Sequence, residues 1–344
     1  MVRPRILMVS PHFPPQKTGL SDYSFKFYEE LKKVADVKVS SGDSPQGWKG
    51  LSLIRFFLGV LNSREDTLLI QYVPYMYGKR GMNLQFPLLI FIYSLFKRKK
   101  IQVMVHEFNY PYLGDFKSLL LYCYHQLMGR LLLLASDEVF CTTEHFKFYL
   151  QPKCLVEVLQ LPVGSNIQKS EKETEILKKL NLRESEFACI FGNFHSSKDL
   201  SFVISELKKT DYQVIHIGAN KEDYQKNLSS VPQNIYPIGY LLEEEVSELL
   251  SKTKLLLCYF LDGATLRRGS LLAGIEHNTP ILVNKSKNTE KELLNCENIS
   301  FAKDKTEFRE LLESLLKAPK RQFANANPFS WELIVKKYLS RRIG

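Results

Sequence analysis

Two arginines, a glycine and a serine stand side by side in the stretch Asp262-Gly263-Ala264-Thr265-Leu266-Arg267-Arg268-Gly269-Ser270-Leu271-Leu272. An apolar run at 255–260 precedes it and the strand-like Pro280-Ile281-Leu282-Val283 follows, so the pattern reads as strand, polar loop, helix start, second strand. That order brings guanidinium groups to the free backbone N–H groups of a helix N-terminus around Gly269 and Ser270, a combination suited to phosphate oxygens. A diphosphate is the ligand such a loop would hold. The same residues also suit a solvated surface loop with Ser270 as an ordinary cap, so the reading needs support from elsewhere in the chain.

Two other strand-to-helix turns offer it. After the first strand, the stretch 12–23 carries Gly19, which would permit a tight turn, and Ser21 or Asp22 to open a helix. In the second half, Ile190-Phe191-Gly192-Asn193-Phe194-His195-Ser196-Ser197-Lys198-Asp199 follows a strand and supplies a glycine and one cation, Lys198, which equally suits a solvated loop. Neither turn contains G-x-G-x-x-G or a Walker lysine motif. A dinucleotide site of the usual fingerprint and an NTP-hydrolysing P-loop are both disfavoured.

These turns must be held by strands and helices, and the periodicity supplies them. Strand-like runs at 5–9, 37–39, 67–71, 103–106 and 138–141 alternate with helical patterns at 21–33, 84–96 and 116–134. A second series has strands at 187–191, 213–217, 235–237, 255–258 and 281–283 and helices at 200–208, 243–250 and 269–277. Such alternation implies an α/β fold of two Rossmann-like, doubly wound parallel-sheet domains. We expect a first domain at 1–163, a second domain at 164–325 entered through a charged linker at 169–179, and a C-terminal helix at 326–344 capped by Ser330. A chain of 344 residues, 44% hydrophobic, can bury two cores.

The formal net charge of +10 favours anionic partners such as phosphorylated substrates, acidic lipid headgroups or nucleic acid. The basic residues are dispersed and no module that reads RNA or DNA is visible, so no nucleic-acid partner is expected. Six scattered cysteines without a C-x-x-C pair read as a reduced, cytoplasmic protein with no structural metal. The N-terminus lacks a secretory apolar region. The apolar stretches at 86–96 and 119–135 are too short or too interrupted to cross a bilayer. Leu88 to Phe96, followed by Lys97-Arg98-Lys99-Lys100, fits either peripheral contact with an anionic membrane at its inner face or a buried helix whose terminal cations complement its dipole.

Taken in order, Pro14-Pro15…Gly19, His106-Glu107, Phe191-Gly192…Lys198 and Arg267-Arg268-Gly269-Ser270…Thr279-Pro280 resemble the family-4 type of retaining glycosyltransferases with a GT-B fold. The terminal Phe329-Ser330-Trp331 helix is similar too, since in that family the last helix crosses back to the first domain. The run from Gln71 to Gly78 with Gly81-Met82-Asn83, taken with the Asp262-Gly263…Arg-Arg-Gly-Ser loop, further resembles a bacterial subgroup. The resemblance implies transfer of a hexose-like sugar from a UDP- or GDP-sugar to a glycan, lipid-linked or other cell-envelope acceptor, as in polysaccharide biosynthesis, without cofactor or metal. It implies an acceptor-side first domain at 1–163 and a nucleotide-sugar domain at 164–325 facing a cleft, with Gly19, Lys198, Arg267, Arg268, Gly269 and Ser270 holding the donor diphosphate. It also implies that His106 positions the sugar and that Glu107 contacts the acceptor or serves as base. Asp22, Tyr23, Gln71 and Tyr75 would line the acceptor side, or simply pack.

The sequence departs from the family at two glutamates, one near the sugar and one on the ribose. Thr265 and Ala273 occupy those positions. Thr265 could still bind a sugar hydroxyl, Ala273 cannot bind a ribose, and Glu276, almost a turn further on, is a candidate substitute. Asn193 stands where many relatives carry an arginine. These departures also motivate a second reading, a catalytically silent GT-B protein that binds a glycan or a partner.

Overall fold

A computed structural model describes residues 3–16, 18–41, 48–96, 99–109, 111–323 and 327–340. Lys97, Arg98 and the expected domain boundary at 325–326 lie outside these. The chain divides into two compact units, Met1–Val163 with Trp331–Gly344, and Gly164–Ser330.

In the first unit the order is β1 (Arg5–Ser10), α1 (Gly19–Leu31), β2 (Asp36–Ser41), α2 (Gly50–Asn62), β3 (Thr67–Tyr72), α3 (Gln85–Ser94), β4 (Lys100–Val105), α4 (Phe116–Ala135), β5 (Glu138–Cys141), α5 (Glu144–Leu150) and β6 (Val158–Gln160). The strands form one parallel sheet in the order β2-β1-β3-β4-β5-β6. Every residue of β3 is buried, as expected of a strand covered by helices on both faces. Its alternation sorts the helices into layers. Leu68, Ile70 and Tyr72 share a core with α2, α3 and α4, whereas Leu69 shares the opposite one with α1 and the terminal helix (Trp331–Ser340). That terminal helix packs Trp331 edge-on to Tyr23, centroids 5.3 Å apart, and its Tyr338 hydroxyl donates to Gln102 Oε1 at 2.5 Å.

The second unit runs α6 (Ile176–Lys179), β7 (Phe187–Phe191), α7 (Leu200–Leu207), β8 (Gln213–Ile217), α8 (Lys221–Leu228), β9 (Ile235–Gly239), α9 (Glu243–Lys252), β10 (Leu255–Cys258), α10 (Gly269–Glu276), β11 (Ile281–Asn284), β12 (Ile299–Ala302) and α11 (Lys305–Lys317); the terminal helix is α12. Its parallel sheet is ordered β12-β11-β10-β7-β8-β9. The strand order reverses beside β7 and β10, where open α/β sheets collect ligands at their carboxyl ends.

Four expectations need correction. The edge strands β6 and β12, of 3 and 4 residues, were not anticipated because so short a run carries little periodic signal. Nor was α2, which begins at a glycine. The charged stretch 169–179 is no loose linker: the Ser170 N–H donates to Ser247 Oγ at 2.8 Å and the Thr174 N–H to Glu248 Oε2 at 2.7 Å, laying it along α9. Finally, Lys99 and Lys100 of the basic run after α3 are consumed internally. Lys99 Nζ donates to the Ser63 and Glu65 carbonyls, and Lys100 pairs with Glu138 at 2.8 Å.

Candidate functional site

The loop after β7 and the loop after β10 are stitched together. Lys198 and Phe260 form an antiparallel bridge, the Asp199 N–H donates to the Tyr259 carbonyl at 3.0 Å, and the Leu261 N–H to Ser197 O at 3.0 Å. Asn284, at the end of β11, brackets Phe260 by accepting from its N–H and donating to its carbonyl, both at 2.7 Å. Buried Glu290 accepts from the Leu266 N–H at 3.3 Å and steadies the same loop from below. This stitching, which no short motif announces, brings Lys198 beside Arg268.

Arg268 lies over the Phe260 ring, 4.8 Å from its centroid, donates to Ser197 Oγ at 3.1 Å and pairs with Asp262. Its Nε is buried without a hydrogen-bond partner. Burial lowers the Lys198 pKa from the ordinary lysine value, Cys258 opposes that shift, and the nearby Arg268 guanidinium adds to it. Lys198 Nζ reaches the Phe191 carbonyl at 3.4 Å. Gly192 makes room for it: this residue has φ +106°, and a Cβ there would come within 2.3 Å of Nζ.

Arg268 caps α10 but supplies no side-chain acceptor to its first N–H groups. A Cβ on Gly269 would meet nothing within 4 Å, so the N-terminus of α10 is open in front of the glycine. The Ser270 hydroxyl is buried and hydrogen-bonded to the Cys258 thiol, whose pKa burial pushes up to about 11. Only its backbone N–H remains for a ligand. Arg267 is exposed and Thr265 half-buried, its carbonyl accepting from the Arg268 N–H at 3.1 Å. Glu276 is the last residue of α10, roughly 10 Å along the axis from Gly269 at the usual helical rise. Its carboxylate accepts from Asn327, which ties it to the chain end of this unit instead of the open helix start.

His216 was not singled out by sequence, since a histidine inside a strand gives no functional signal. It is buried on β8, where its Nε2–H donates to the Gly192 carbonyl at 2.8 Å and its Nδ1 accepts from the Tyr224 hydroxyl at 2.7 Å. Burial pulls its pKa down to about 4 from 6.5. The folded state therefore binds fewer protons than the unfolded one between those values, and stability falls as pH drops from 6.5 towards 4. Above pH 6.5 the contribution is complete, and the full loss is about 3 kcal/mol. Urea unfolding at pH 7 and pH 4.5 should show this slope, and His216→Gln should flatten it.

In the first unit, the ends of β3 and β4 carry the other cluster. The His106 N–H donates to the Tyr72 carbonyl at 3.0 Å, and its Nε2 lies 2.8 Å from Gln71 Oε1. With that oxygen as acceptor, Nε2 holds the proton and Nδ1 is the acceptor nitrogen. The Tyr23 ring meets His106 edge-on, centroids 4.5 Å apart. Gln71 is 0% exposed and Tyr23 3%, so both, expected on the acceptor side, face His106 instead. Glu107 is half-buried beside it, and Tyr75, also half-buried, sets its ring against His125. Helix α1 is capped by Thr18, which accepts from the Ser21 N–H at 3.2 Å, not by Ser21 or Asp22. Asp22 is exposed in the first turn. Gly19 needs no unusual backbone and has open space in front, so the turn itself does not require glycine. Among the described residues no group of three or more His, Cys, Asp or Glu could hold a metal ion.

Two six-stranded parallel sheets, each flanked by helices, with the last helix returned to the first unit, make the fold that of the GT-B glycosyltransferases. The particular resemblances are distant in sequence but span the whole chain. The α,α-trehalose-phosphate synthase (UDP-forming) of Burkholderia xenovorans, solved with glucose-6-phosphate, is 12% identical, with TM-score 0.64 over 98% of this chain and 99% of the other. HepE of Anabaena, solved with UDP and glucose, is 12% identical, with TM-score 0.60 over 98% and 95%. AviGT4, a glycosyltransferase involved in avilamycin A biosynthesis, is 11% identical, with TM-score 0.57 over 99% and 98%. No protein-family model and no curated protein sequence matches the chain.

Proposed function

We propose that the protein is a metal-independent, retaining glycosyltransferase that moves a sugar from a nucleotide diphosphate donor to a glycan or lipid-linked acceptor. The observation that carries this reading is the juxtaposition of half-buried Lys198, Arg268 and the open N-terminus of α10. Half-buried cations beside uncapped N–H groups match the charge that develops on a departing diphosphate, so they stabilise the transition state more than the bound substrate. HepE binds UDP and UDP-glucose, and the trehalose-phosphate synthase is UDP-forming, which favours uridine as the donor base. In the first unit His106 would contact the transferred sugar, with Gln71 fixing its tautomer, while Glu107, Asp22 and Tyr75 would meet the acceptor.

A second reading rests on Thr265 and Ala273 standing where the resembled family has glutamates, Ala273 being 0% exposed. It is a catalytically silent module that binds a glycan or a partner without turnover. Calorimetry and thermal shift against UDP, GDP, ADP, CMP and their sugars, without added metal, separate the two. We expect one nucleoside diphosphate to raise the melting temperature, with the effect lost in Arg268→Ala, and release of that diphosphate when an acceptor is supplied. Binding without release across a broad acceptor panel would favour the silent module, and no binding at all would overturn the transferase reading and put the silent glycan- or partner-binding module first.

A further inference from the structure

Helices α2, α3 and α4 form one layer on a single face of the first sheet, and they are built unlike the other surface helices. The Gly50 N–H at the start of α2 donates to Gln85 Oε1 of α3 at 3.3 Å, Phe57 meets Tyr93 edge-on at 6.0 Å, and the Leu84 N–H donates to the Tyr124 hydroxyl of α4 at 3.1 Å. The inner sides of all three contribute to the core over β3 and β4. Their outer sides should then be polar, as on any soluble amphipathic helix.

They are not. On α4 the exposed positions Phe116, Leu120, Cys123, Leu127, Arg130 and Leu134 recur at helical spacing, and Phe116 is 78% exposed. Exposed Leu51, Ile54 and Leu58 do the same on α2, and Leu88, Ile92 and Leu95 on α3 and just past its end. By contrast, α9 and α11 of the second unit turn acidic and basic residues outward. Three adjoining helices that each expose such a row mark an interaction surface.

Charge selects the partner. The three helices contain no Asp or Glu, and their charged residues are Arg55, Lys117 and Arg130, all exposed. Lys79 and Arg80, in the turn before α3, are exposed as well. Asp115, the exposed N-cap of α4, stands at the edge of this face, whose apolar side chains interspersed with cations match a surface that is oily beneath an anionic headgroup layer. Helix α4 has the length and composition of a membrane span, yet its other side is committed to the core through His125, Met128, Leu132 and Leu133, so it can lie on a bilayer but not cross one while the unit stays folded.

We propose that the outer face of α2, α3 and α4 docks the protein on an anionic lipid bilayer, with the apolar residues entering the headgroup boundary and Arg55, Lys117 and Arg130 meeting the lipid charges. The inference does not depend on the glycosyltransferase reading, because it uses no residue of the donor or sugar clusters. The test is co-sedimentation of the full chain with phosphatidylcholine vesicles with and without 30% phosphatidylglycerol, roughly the anionic fraction needed for a clear electrostatic response, at low and high salt. Binding should require the anionic lipid, weaken with salt, and fall roughly tenfold or more both in Leu120→Glu/Leu127→Glu and in Arg55→Glu/Lys117→Glu/Arg130→Glu. Leu294→Glu, at an exposed leucine of the second unit, should bind as the parent does. Unchanged circular dichroism and melting would show that the variants fold. No preference for anionic vesicles, or binding that both multiple variants retain, would overturn the proposal. So would a concentration-dependent dimer that the Leu120→Glu/Leu127→Glu variant dissolves without any vesicle binding, since a second copy of the chain would then cover the face.

Discussion

Lys198→Met is expected to lower kcat/KM for sugar transfer by about two to three orders of magnitude while raising the melting temperature of the free protein. Both effects have one cause. The ammonium is half-buried, and the neighbours that act on its charge are Cys258 and Arg268, so burial depresses its pKa below the ordinary 10.5. A lysine whose folded pKa lies below its unfolded one costs the folded state stability throughout the pH range in which it is charged there. That cost fades as pH rises through the folded pKa towards 10.5. Methionine fills similar space without the charge and removes the cost. A bound diphosphate reverses the balance by supplying the missing anion, so the parent should gain far more stability from UDP than the variant. Melting curves of both proteins at pH 7.5, with and without saturating UDP, check the prediction. A variant that melts lower when free yet still gains fully from UDP would remove Lys198 from the donor site.

His106→Ala should lower kcat by about a hundredfold and leave UDP affinity within about twofold, since misplacing a reacting group costs turnover more than it costs binding of a remote diphosphate. The histidine is unusually constrained for a residue at a strand end. Its N–H is fixed to the Tyr72 carbonyl, its Nε2 to Gln71 and its ring to the edge of Tyr23. Gln71→Leu retains much of the volume but frees the imidazole to change tautomer, so a smaller fall in kcat, accompanied by a shifted pH profile, is expected. Initial rates and calorimetry on the two variants separate these effects. Equal losses of UDP affinity and kcat in His106→Ala would mean that the histidine supports the fold around it instead of the reaction.

Much of the architecture was legible because it follows from local rules. Buried parallel strands need mostly apolar runs; β1, β7 and β10 show them unbroken, while in β3, β4 and β8 a buried polar residue interrupts the run, at Gln71, Gln102 and His216. Polar, glycine-containing turns after β7 and β10 marked where a ligand could sit, because such turns fall at the carboxyl edge of a parallel sheet. The short edge strands β6 and β12 were not legible, because three or four residues cannot establish a period against their surroundings.

The sequence by itself determined which residues could bind phosphate, namely Lys198, Arg267, Arg268 and the amides that open α10, because guanidinium, ammonium and free N–H groups are properties of residue type and of position at a helix start. Only the tertiary structure decided which of them lie together. Lys198 and Arg268 are 70 positions apart, and they meet because strand order places β7 beside β10 and Asn284 pins the loop that carries Phe260. The same long-range packing turned Ser270 towards Cys258, bound Glu276 to Asn327 and buried Gln71 under His106. It also left the outer face of α2, α3 and α4 uncovered. Each of these outcomes depends on what a distant segment places opposite the side chain, which periodicity within one segment does not encode.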